Sequence, residues 1–183
     1  PPTPCAMLLL QGVFRSGTTV LFRTLRRDEQ LRCFYEPLHP QLVCHAREAQ
    51  SERPKHSKSS LYAEYVPLLD QLRPLLGPDA PDWPHALGAE DDASGLAEYL
   101  RILTTADPAP LLQFNRAFWL VPWLARAFPD AAFVHIVRDP RSVVWSQLTT
   151  AAGRVRMDWP VLGRLLPFTS GTPQRVFSEH AYF

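Results

Sequence analysis

Lysine, cysteine and long apolar runs are scarce in this chain of 183 residues. The charge distribution, the cysteine usage and the lack of long apolar runs each argue against a class of protein. Lysine supplies only two of the 19 basic residues, and the net charge is +1. Because the basic residues form no contiguous stripe, we expect no nucleic-acid partner. No apolar stretch approaches the ~18–20 residues of a membrane span, and no signal peptide or internal repeat is visible.

The three cysteines, Cys5, Cys33 and Cys44, are an odd number and lack the spacing of metal ligands. They therefore predict neither a disulfide framework nor a zinc site. A reducing, cytoplasmic location fits this cysteine usage best.

The composition, with 46% hydrophobic residues, suits one packed core, so we expect a single domain over residues 1–183. Apolar runs alternate with helical periodicity, which predicts an α/β fold with a parallel β-sheet flanked by helices. The predicted strands are Ala6–Val13, Leu31–Tyr35, Leu111–Asn115 and Ala132–Val137. The predicted helices are Thr18–Glu29, Leu61–Leu76 and Trp119–Phe128. Two polar or proline-rich segments, Ser51–Ser60 and Gly77–Gly95, are predicted as loops or lids.

The segment Leu8–Thr19, LLLQGVFRSGTT, is an apolar run that breaks into a loop between Gly12 and Gly17 and continues as a helix. Glycines let the backbone turn its N–H groups toward an anion, and the helix dipole adds to the attraction. Arg15 places a permanent cation in the loop. The spacing resembles the ATP-binding P-loop, G-x-x-x-x-G-K-[ST], but Thr18 stands in place of the lysine. This difference argues against an ordinary nucleotide triphosphatase.

The segment Phe133–Ser146, FVHIVRDPRSVVWS, is a strand-like run that ends in a charged turn and the start of a helix. Arg138 offers a planar fork of donors that suits phosphate oxygens, and Ser146 adds a neutral hydroxyl donor. The turn also fits a structural role, since Asp139 is a helix-capping residue and Pro140 suits the first helical position.

Together the two segments resemble the donor-binding motifs of the sulfotransferases. In that family a Lys or Arg lies two residues before a Gly-Thr-Thr or Gly-Ser-Thr triplet, and a strand-ending Arg is followed eight residues later by a Ser. The resemblance covers Met7–Gln147 and is closer to the carbohydrate and bacterial types than to the cytosolic small-molecule type. It implies a P-loop NTPase-like sulfotransferase fold.

The resemblance also implies an activity, the transfer of a sulfuryl group from 3′-phosphoadenosine 5′-phosphosulfate (PAPS) to a hydroxyl or amine. The implied acceptor is a small molecule or carbohydrate, and no metal is required. Donor binding is assigned to Arg15, Ser16, Gly17, Thr18 and Thr19 for the 5′-phosphosulfate, and to Arg138 and Ser146 for the 3′-phosphate.

For catalysis we expect Arg15 to stabilise charge and Glu36, after the second strand, to deprotonate the acceptor. Many carbohydrate-type members carry a similar Glu-Pro-Leu. Alternatively, Glu36 only fixes the turn or pairs with a nearby arginine. His39 is the second candidate base. Arg116 stands where cytosolic members have a catalytic His, and since arginine cannot act as a base, we expect it to stabilise charge or orient the acceptor.

These charged residues share one predicted location, because ligands of open parallel sheets sit at the carboxyl ends of the strands. The residues concerned are Arg15, Glu36, Arg116 and Arg138. His135, inside an apolar strand, is predicted to be a buried core histidine.

Nothing after Ser146 matches the glycine-rich basic loop that closes over the donor in the family. A shortened relative is therefore one interpretation, and a chain whose remainder lies outside this sequence is another.

Two alternative functions stay open at this point, a P-loop nucleotide kinase or phosphotransferase and a catalytically degenerate binding protein. The first residue is not Met, so an upstream anchor and a Golgi-lumenal location are the alternative to the cytoplasm. The acceptor and the oligomeric state are not specified by these motifs.

Overall fold

The structure, a computed structural model, describes residues 7–51, 59–76, 83–84, 86–105, 109–115 and 117–148, with only the backbone of residues 147 and 148. Its strands are β1 (Met7–Gly12), β2 (Leu31–Tyr35), β3 (Ala109–Phe114) and β4 (Ala131–Ile136). Its α-helices are α1 (Thr18–Leu25), α2 (Leu42–Glu48), α3 (Leu69–Leu76), α4 (Ser94–Thr104), α5 (Val121–Ala127) and α6 (Pro140–Leu148).

The four strands form one parallel sheet in the order β2-β3-β1-β4. β1 lies in the interior of the sheet, where Leu10 aligns with Gln113 of β3 on one side and with Val134 of β4 on the other. Parallel strands require long crossover connections, which the helices between successive strands supply. The predicted α/β fold with helices flanking a parallel sheet is confirmed.

Helix α1 ends at Leu25, four residues before the predicted end at Glu29. The backbone explains this early stop: the N–H of Arg27 bonds to the carbonyl of Thr24, and the N–H of Asp28 bonds to the carbonyl of Leu25. Such i→i+3 bonds tighten the last turn of a helix. The chain then turns back directly into β2.

The predicted helix over Leu61–Leu76 is divided into a 3₁₀ helix, Ser59–Leu68, and α3. Pro67 lies inside the 3₁₀ helix, where its missing N–H and fixed ring disfavour α-helical hydrogen bonding, whereas Pro74 is accommodated inside α3. A two-pronged ion pair between Arg26 and Glu64, with Nε to Oε1 at 2.7 Å and Nη2 to Oε2 at 3.0 Å, fastens the 3₁₀ helix to the end of α1.

Helices α2 and α4 were not predicted, and α4 begins inside the segment assigned to the loop Gly77–Gly95. Its buried residues include Leu96, Leu100 and Leu103, which recur at the spacing of one helix face. The predicted helix Trp119–Phe128 is also divided, into a 3₁₀ turn, Phe118–Leu120, and α5.

The core lies between the sheet and these helices, and aromatic rings fill much of it. Tyr62 and Tyr65 of the 3₁₀ helix are buried, and Tyr65 makes an edge contact with Phe34 of β2 at a centroid distance of 5.2 Å. In the same core Tyr99 of α4 stacks on Trp83 at 5.2 Å. The core therefore holds β2, α4 and the 3₁₀ helix together.

The prediction that His135 is a buried core residue is wrong, because its side chain is exposed. It lies on β4, which is at one edge of the sheet formed by the described strands, and its Nδ1 is 3.0 Å from Nε2 of Gln11. Across the described residues, no helix has the length and apolarity to cross a membrane.

Candidate functional site

The parallel register brings the carboxyl ends of all four strands to one edge of the sheet. Gly12 aligns with Ile136, Gln11 with Phe114, and Tyr35 with Gln113. The loops that leave this edge carry Arg15, Glu36 and Arg138, as the sequence predicted. Arg116 lies outside the described residues.

The loop between β1 and α1 depends on two glycines for its shape. A Cβ atom on Gly12 would lie 2.6 Å from Ser16 Oγ and 2.9 Å from both the Ile136 carbonyl oxygen and Thr18 Cγ2. Gly17, the N-cap of α1, has a φ of 108°, in the left-handed region that favours glycine. The first position forms a close-packed cradle, and the second lets the chain enter the helix.

Ser16 is 8% exposed, and its Oγ has no hydrogen-bond partner within the described part of the chain. It lies immediately before the N-terminus of α1, whose first N–H groups have no acceptor inside the helix. A buried hydroxyl without a partner is costly, and an anion at this helix end would satisfy both the hydroxyl and the backbone. The loop therefore fits a phosphate or sulfate group.

Arg15 joins the two sequence motifs. Its Nε donates to Ser146 Oγ at 2.7 Å, and its backbone carbonyl accepts a 2.8 Å bond from Nη1 of Arg138. Arg15 also has a φ of 67°, a left-handed conformation that is uncommon for a side-chain-bearing residue. The three predicted donor-binding residues thus lie in direct contact.

Among the described residues, no neighbouring carboxylate neutralises the positive charge at this contact. Within the described ranges, neither Arg15 nor Arg138 forms an ion pair, and both are exposed to solvent. Adjacent unpaired cations attract anions. The site is therefore electrostatically suited to a doubly phosphorylated or phosphosulfated ligand.

Asp139 serves the capping role that the sequence offered for it. Its Oδ1 accepts the backbone N–H of Arg141 at 2.8 Å, and its carboxylate pairs with the Arg141 guanidinium. These hydrogen bonds from Arg141 lower the pKa of Asp139. The cap orients α6, which carries Ser146.

Glu36 is 5% exposed and has a φ of 45°. Among the described residues, Arg15 and Glu36 are the non-glycine residues with positive φ. Such conformations persist where the surroundings over-determine them, and they are concentrated at functional sites. The backbone strain in this chain therefore falls on two of the predicted site residues.

Four hydrogen bonds hold the backbone around Glu36. Its N–H donates to the Gln113 carbonyl at 2.8 Å, and its own carbonyl accepts the N–H of His39 at 2.9 Å. The carbonyl of Tyr35 accepts the hydroxyl of Tyr65 at 3.2 Å, and the carbonyl of Pro37 accepts the hydroxyl of Tyr99 at 2.7 Å. The core thus fixes the segment that presents the carboxylate.

The side chain of Glu36 is connected to the loop between β1 and α1 through a residue that the sequence reasoning missed. Asn115 Nδ2 donates to Glu36 Oε1, while Asn115 Oδ1 accepts Thr18 Oγ1 at 2.7 Å and Gln113 Nε2 at 3.0 Å. Asn115 is the single asparagine of the chain and follows β3 at the carboxyl edge of the sheet. Its position after a predicted strand was the sequence signal that could have identified it as a site residue.

The side chains of Thr19 and His39 contact neighbouring residues of the fold. Thr19 Oγ1 is 3.0 Å from the hydroxyl of Tyr35. His39 Nδ1 accepts the backbone N–H of Gln41 at 3.1 Å, and its ring packs against His45 at 4.9 Å. A neutral imidazole whose Nδ1 accepts carries its proton on Nε2. His39 therefore presents a donor, not a basic lone pair, at its other nitrogen.

The described residues contain no group of three or more His, Cys, Asp or Glu side chains in a metal-binding arrangement.

A comparison with models of protein families matches residues 8–166 to the sulfotransferase family. The match begins one residue after Met7 and continues past Gln147, the C-terminal limit of the resemblance that the motifs indicated. No curated protein and no solved structure matches the chain significantly. Since the family match covers most of the sequence and includes both motifs that meet at Arg15, the chain belongs to the sulfotransferase family.

Proposed function

We propose that this protein transfers a sulfuryl group from PAPS to a hydroxyl or amine of a small-molecule or carbohydrate acceptor. The observation that carries the proposal is the meeting of Arg15 with Ser146 and Arg138, residues from opposite ends of the described chain. A donor with a phosphosulfate at one end of its ribose and a phosphate at the other needs two anion sites side by side. The two motifs supply such a pair.

The residues present fit this donor. The 5′-phosphosulfate is suited by the buried Ser16 hydroxyl, which has no partner among the described residues, and by the N-terminus of α1. Gly17, Thr18, Thr19 and the Arg15 guanidinium complete this group. Arg138 and Ser146 suit the 3′-phosphate. Arg116, though outside the described residues, remains proposed as a group that stabilises charge.

In the proposed reaction the acceptor oxygen or nitrogen forms a bond to sulfur while the bond from sulfur to the bridging phosphate oxygen breaks. Glu36 takes the proton of the acceptor, and Arg15 with the backbone N–H groups of the loop stabilises the charge that develops on the departing phosphate. No metal is assigned to a step. Positioning of the two reactants supplies much of the rate enhancement, as in phosphoryl transfer.

Glu36 is preferred to His39 as the base. It is buried at the carboxyl edge of the sheet and joined through Asn115 to the donor loop. His39 has its Nδ1 occupied by the Gln41 N–H and packs among aromatic rings.

A cytoplasmic location also remains part of the proposal, since Cys33 and Cys44 carry free thiols.

Calorimetric binding of 3′-phosphoadenosine 5′-phosphate (PAP), with and without Mg²⁺, tests the donor site. We expect metal-independent binding that Arg138→Ala weakens about 10- to 100-fold, the scale of a lost charge-assisted hydrogen bond. Arg101→Ala removes an equal charge from an exposed position on α4 and should leave the affinity unchanged. Release of PAP from PAPS on addition of acceptors then tests turnover.

Two other outcomes would support the alternatives. Binding of ATP only with Mg²⁺ would indicate a nucleotide kinase or phosphotransferase. Tight PAP binding without turnover across hydroxyl, amine and sugar acceptors would indicate a degenerate sulfotransferase fold. Absence of PAP binding would overturn the proposal altogether.

A further inference from the structure

Asn115 contacts groups from two parts of the site that are far apart in the sequence. On one side it reaches Thr18, the first residue of α1. On the other it reaches the carboxylate of Glu36. The donor loop and the candidate base are therefore connected through one amide side chain.

The direction of each hydrogen bond in this connection follows from the chemistry of the groups. The amide oxygen of Asn115 accepts two bonds, from Thr18 Oγ1 at 2.7 Å and from Gln113 Nε2 at 3.0 Å. The amide nitrogen can only donate, and it faces an oxygen of Glu36. That oxygen must be an acceptor, so it carries no proton.

The hydroxyl of Thr18 has one hydrogen, and Asn115 takes it. Thr18 can therefore reach a bound anion as a donor through its backbone N–H, but not through its side chain. The hydroxyl instead ties the first turn of α1 to the end of β3.

Three of the four side chains in this connection are buried, and Asn115 itself is partly exposed. Thr18 is 2% exposed, Glu36 is 5% exposed, and Gln113 is fully buried. Hydrogen bonds are stronger in such surroundings, and an unmatched partner is more costly. The matched hydrogen bonds therefore favour one position of the carboxylate.

We propose that Asn115 is a positioning residue that orients the Glu36 carboxylate and the start of α1 together, so that one side chain sets the distance between base and donor loop. This inference rests on the proposed sulfotransferase function. It assigns the Thr18 hydroxyl to the same structural task.

Three variants separate this role from donor binding. Asn115→Asp keeps the oxygen that Thr18 and Gln113 contact, but it places a negative oxygen against Glu36, and like charges repel there. Thr18→Val removes the hydroxyl, and Thr18→Ser restores it. Gln30→Glu, an equal amide-to-acid change at an exposed site outside the site region, is the matched control.

We expect Asn115→Asp to lower kcat about 100-fold or more while the Kd for PAP stays within about threefold. Thr18→Val should lower kcat about tenfold with a similar Kd, and Thr18→Ser should recover most of the activity. Gln30→Glu should match the wild type in both quantities. Wild-type kcat in Asn115→Asp, or a Kd raised tenfold by Thr18→Val with kcat intact, would overturn the proposal.

A second measurement needs neither donor nor turnover. Because Asn115 is the only asparagine, selective ¹⁵N-asparagine labelling gives a single side-chain NH₂ pair in the NMR spectrum. We expect slow solvent exchange of this pair, and a shift of its signals in Glu36→Gln and in Thr18→Val but not in Gln30→Glu. Fast exchange and unshifted signals would exclude the connection itself.

The two measurements distinguish the failure of this inference from that of the proposed function. A wild-type protein that neither binds PAP nor releases it from PAPS would overturn the function, whereas the NMR signals would still report the Asn115 contacts. A wild type that turns over while Asn115→Asp does so equally well would overturn only the role of Asn115.

Discussion

Arg15 donates from Nε to the hydroxyl of Ser146 at 2.7 Å across 131 positions of sequence. The bond places the cation of the first motif against the last residue of the second. Neither motif contains this information alone, because each specifies a local turn whereas their contact requires the parallel pairing of β1 with β4.

We predict that Arg15→Ala weakens PAP binding more than Ser146→Ala does. The arginine contributes a charge and several donors, and the serine contributes one neutral hydroxyl. Calorimetry should show a loss of about tenfold or more for the first variant and a smaller loss for the second. Because the two side chains touch, their double variant should deviate from additivity. Strictly additive losses would contradict a direct contact.

The close packing at Gly12 predicts a specific stability pattern among glycines. Gly12→Ala should destabilise the fold by about 1–3 kcal/mol, because its Cβ would meet a backbone carbonyl that cannot move aside. Gly95→Ala, in α4 with open space around it, should be stabilising by about 0.5–1 kcal/mol. Urea unfolding of both variants measures the difference, and equal midpoints would contradict the described loop.

Gly17→Ala isolates conformational strain from crowding. No atom lies within 4 Å of its added Cβ, but φ is 108°, so the cost is purely one of backbone conformation, about 1–2 kcal/mol. The same urea series gives the value. A variant as stable as wild type would show that the loop adopts a different backbone.

Replacement of the two candidate bases should affect turnover differently. Glu36→Gln keeps the shape of the side chain but removes the basic oxygen, so kcat should fall about 100- to 10,000-fold while PAP affinity changes little. His39→Ala should retain most of kcat, because the ring already accepts from Gln41 and packs against His45. Steady-state kinetics with PAPS tests both, and the reverse order of effects would make His39 the base.

The two described cysteines should react with thiol reagents at very different rates. Burial, aided by the negative charge of Glu64, raises the pKa of the Cys33 thiol from 9.0 to about 11, whereas Cys44 is exposed. The thiolate is the reactive form. In a Cys5→Ser background, iodoacetamide at pH 8 should therefore label Cys44 first and Cys33 only on unfolding, as peptide mass spectrometry can show.

The same pKa shift predicts a loss of stability at alkaline pH. The folded chain holds the Cys33 proton more tightly than the unfolded chain does, so this contribution is present below about pH 9. It is lost as the pH rises toward about 11. Cys33→Ala should flatten this part of the stability profile in urea titrations between these pH values, and an unchanged slope would contradict the assignment.

Much of the fold could be predicted from local sequence patterns. β2, Leu31–Tyr35, was predicted with its observed bounds, and the other strands differ from prediction by one or two residues at each described end. Strand apolarity and the glycine spacing of the first loop are local properties, so a linear sequence displays them. Helix ends were predicted less well, since the stop of α1 and the division at Pro67 depend on hydrogen-bond choices within a single turn.

By itself, therefore, the sequence determined the succession of strands along the chain and the family that the two motifs indicate, and it predicted an anion-binding character for both motifs, because these depend on neighbours in the chain. The tertiary structure alone decided the contact of Arg15 with Ser146, the bridge from Thr18 through Asn115 to Glu36, and the exposure of His135. It also decided the left-handed backbone at Glu36, which bonds from β3 and α4 hold in place. These features depend on which strands pair and on which elements cover each face of the sheet. Contacts between residues far apart in the sequence produce no periodic pattern in that sequence, so they could not be predicted from it.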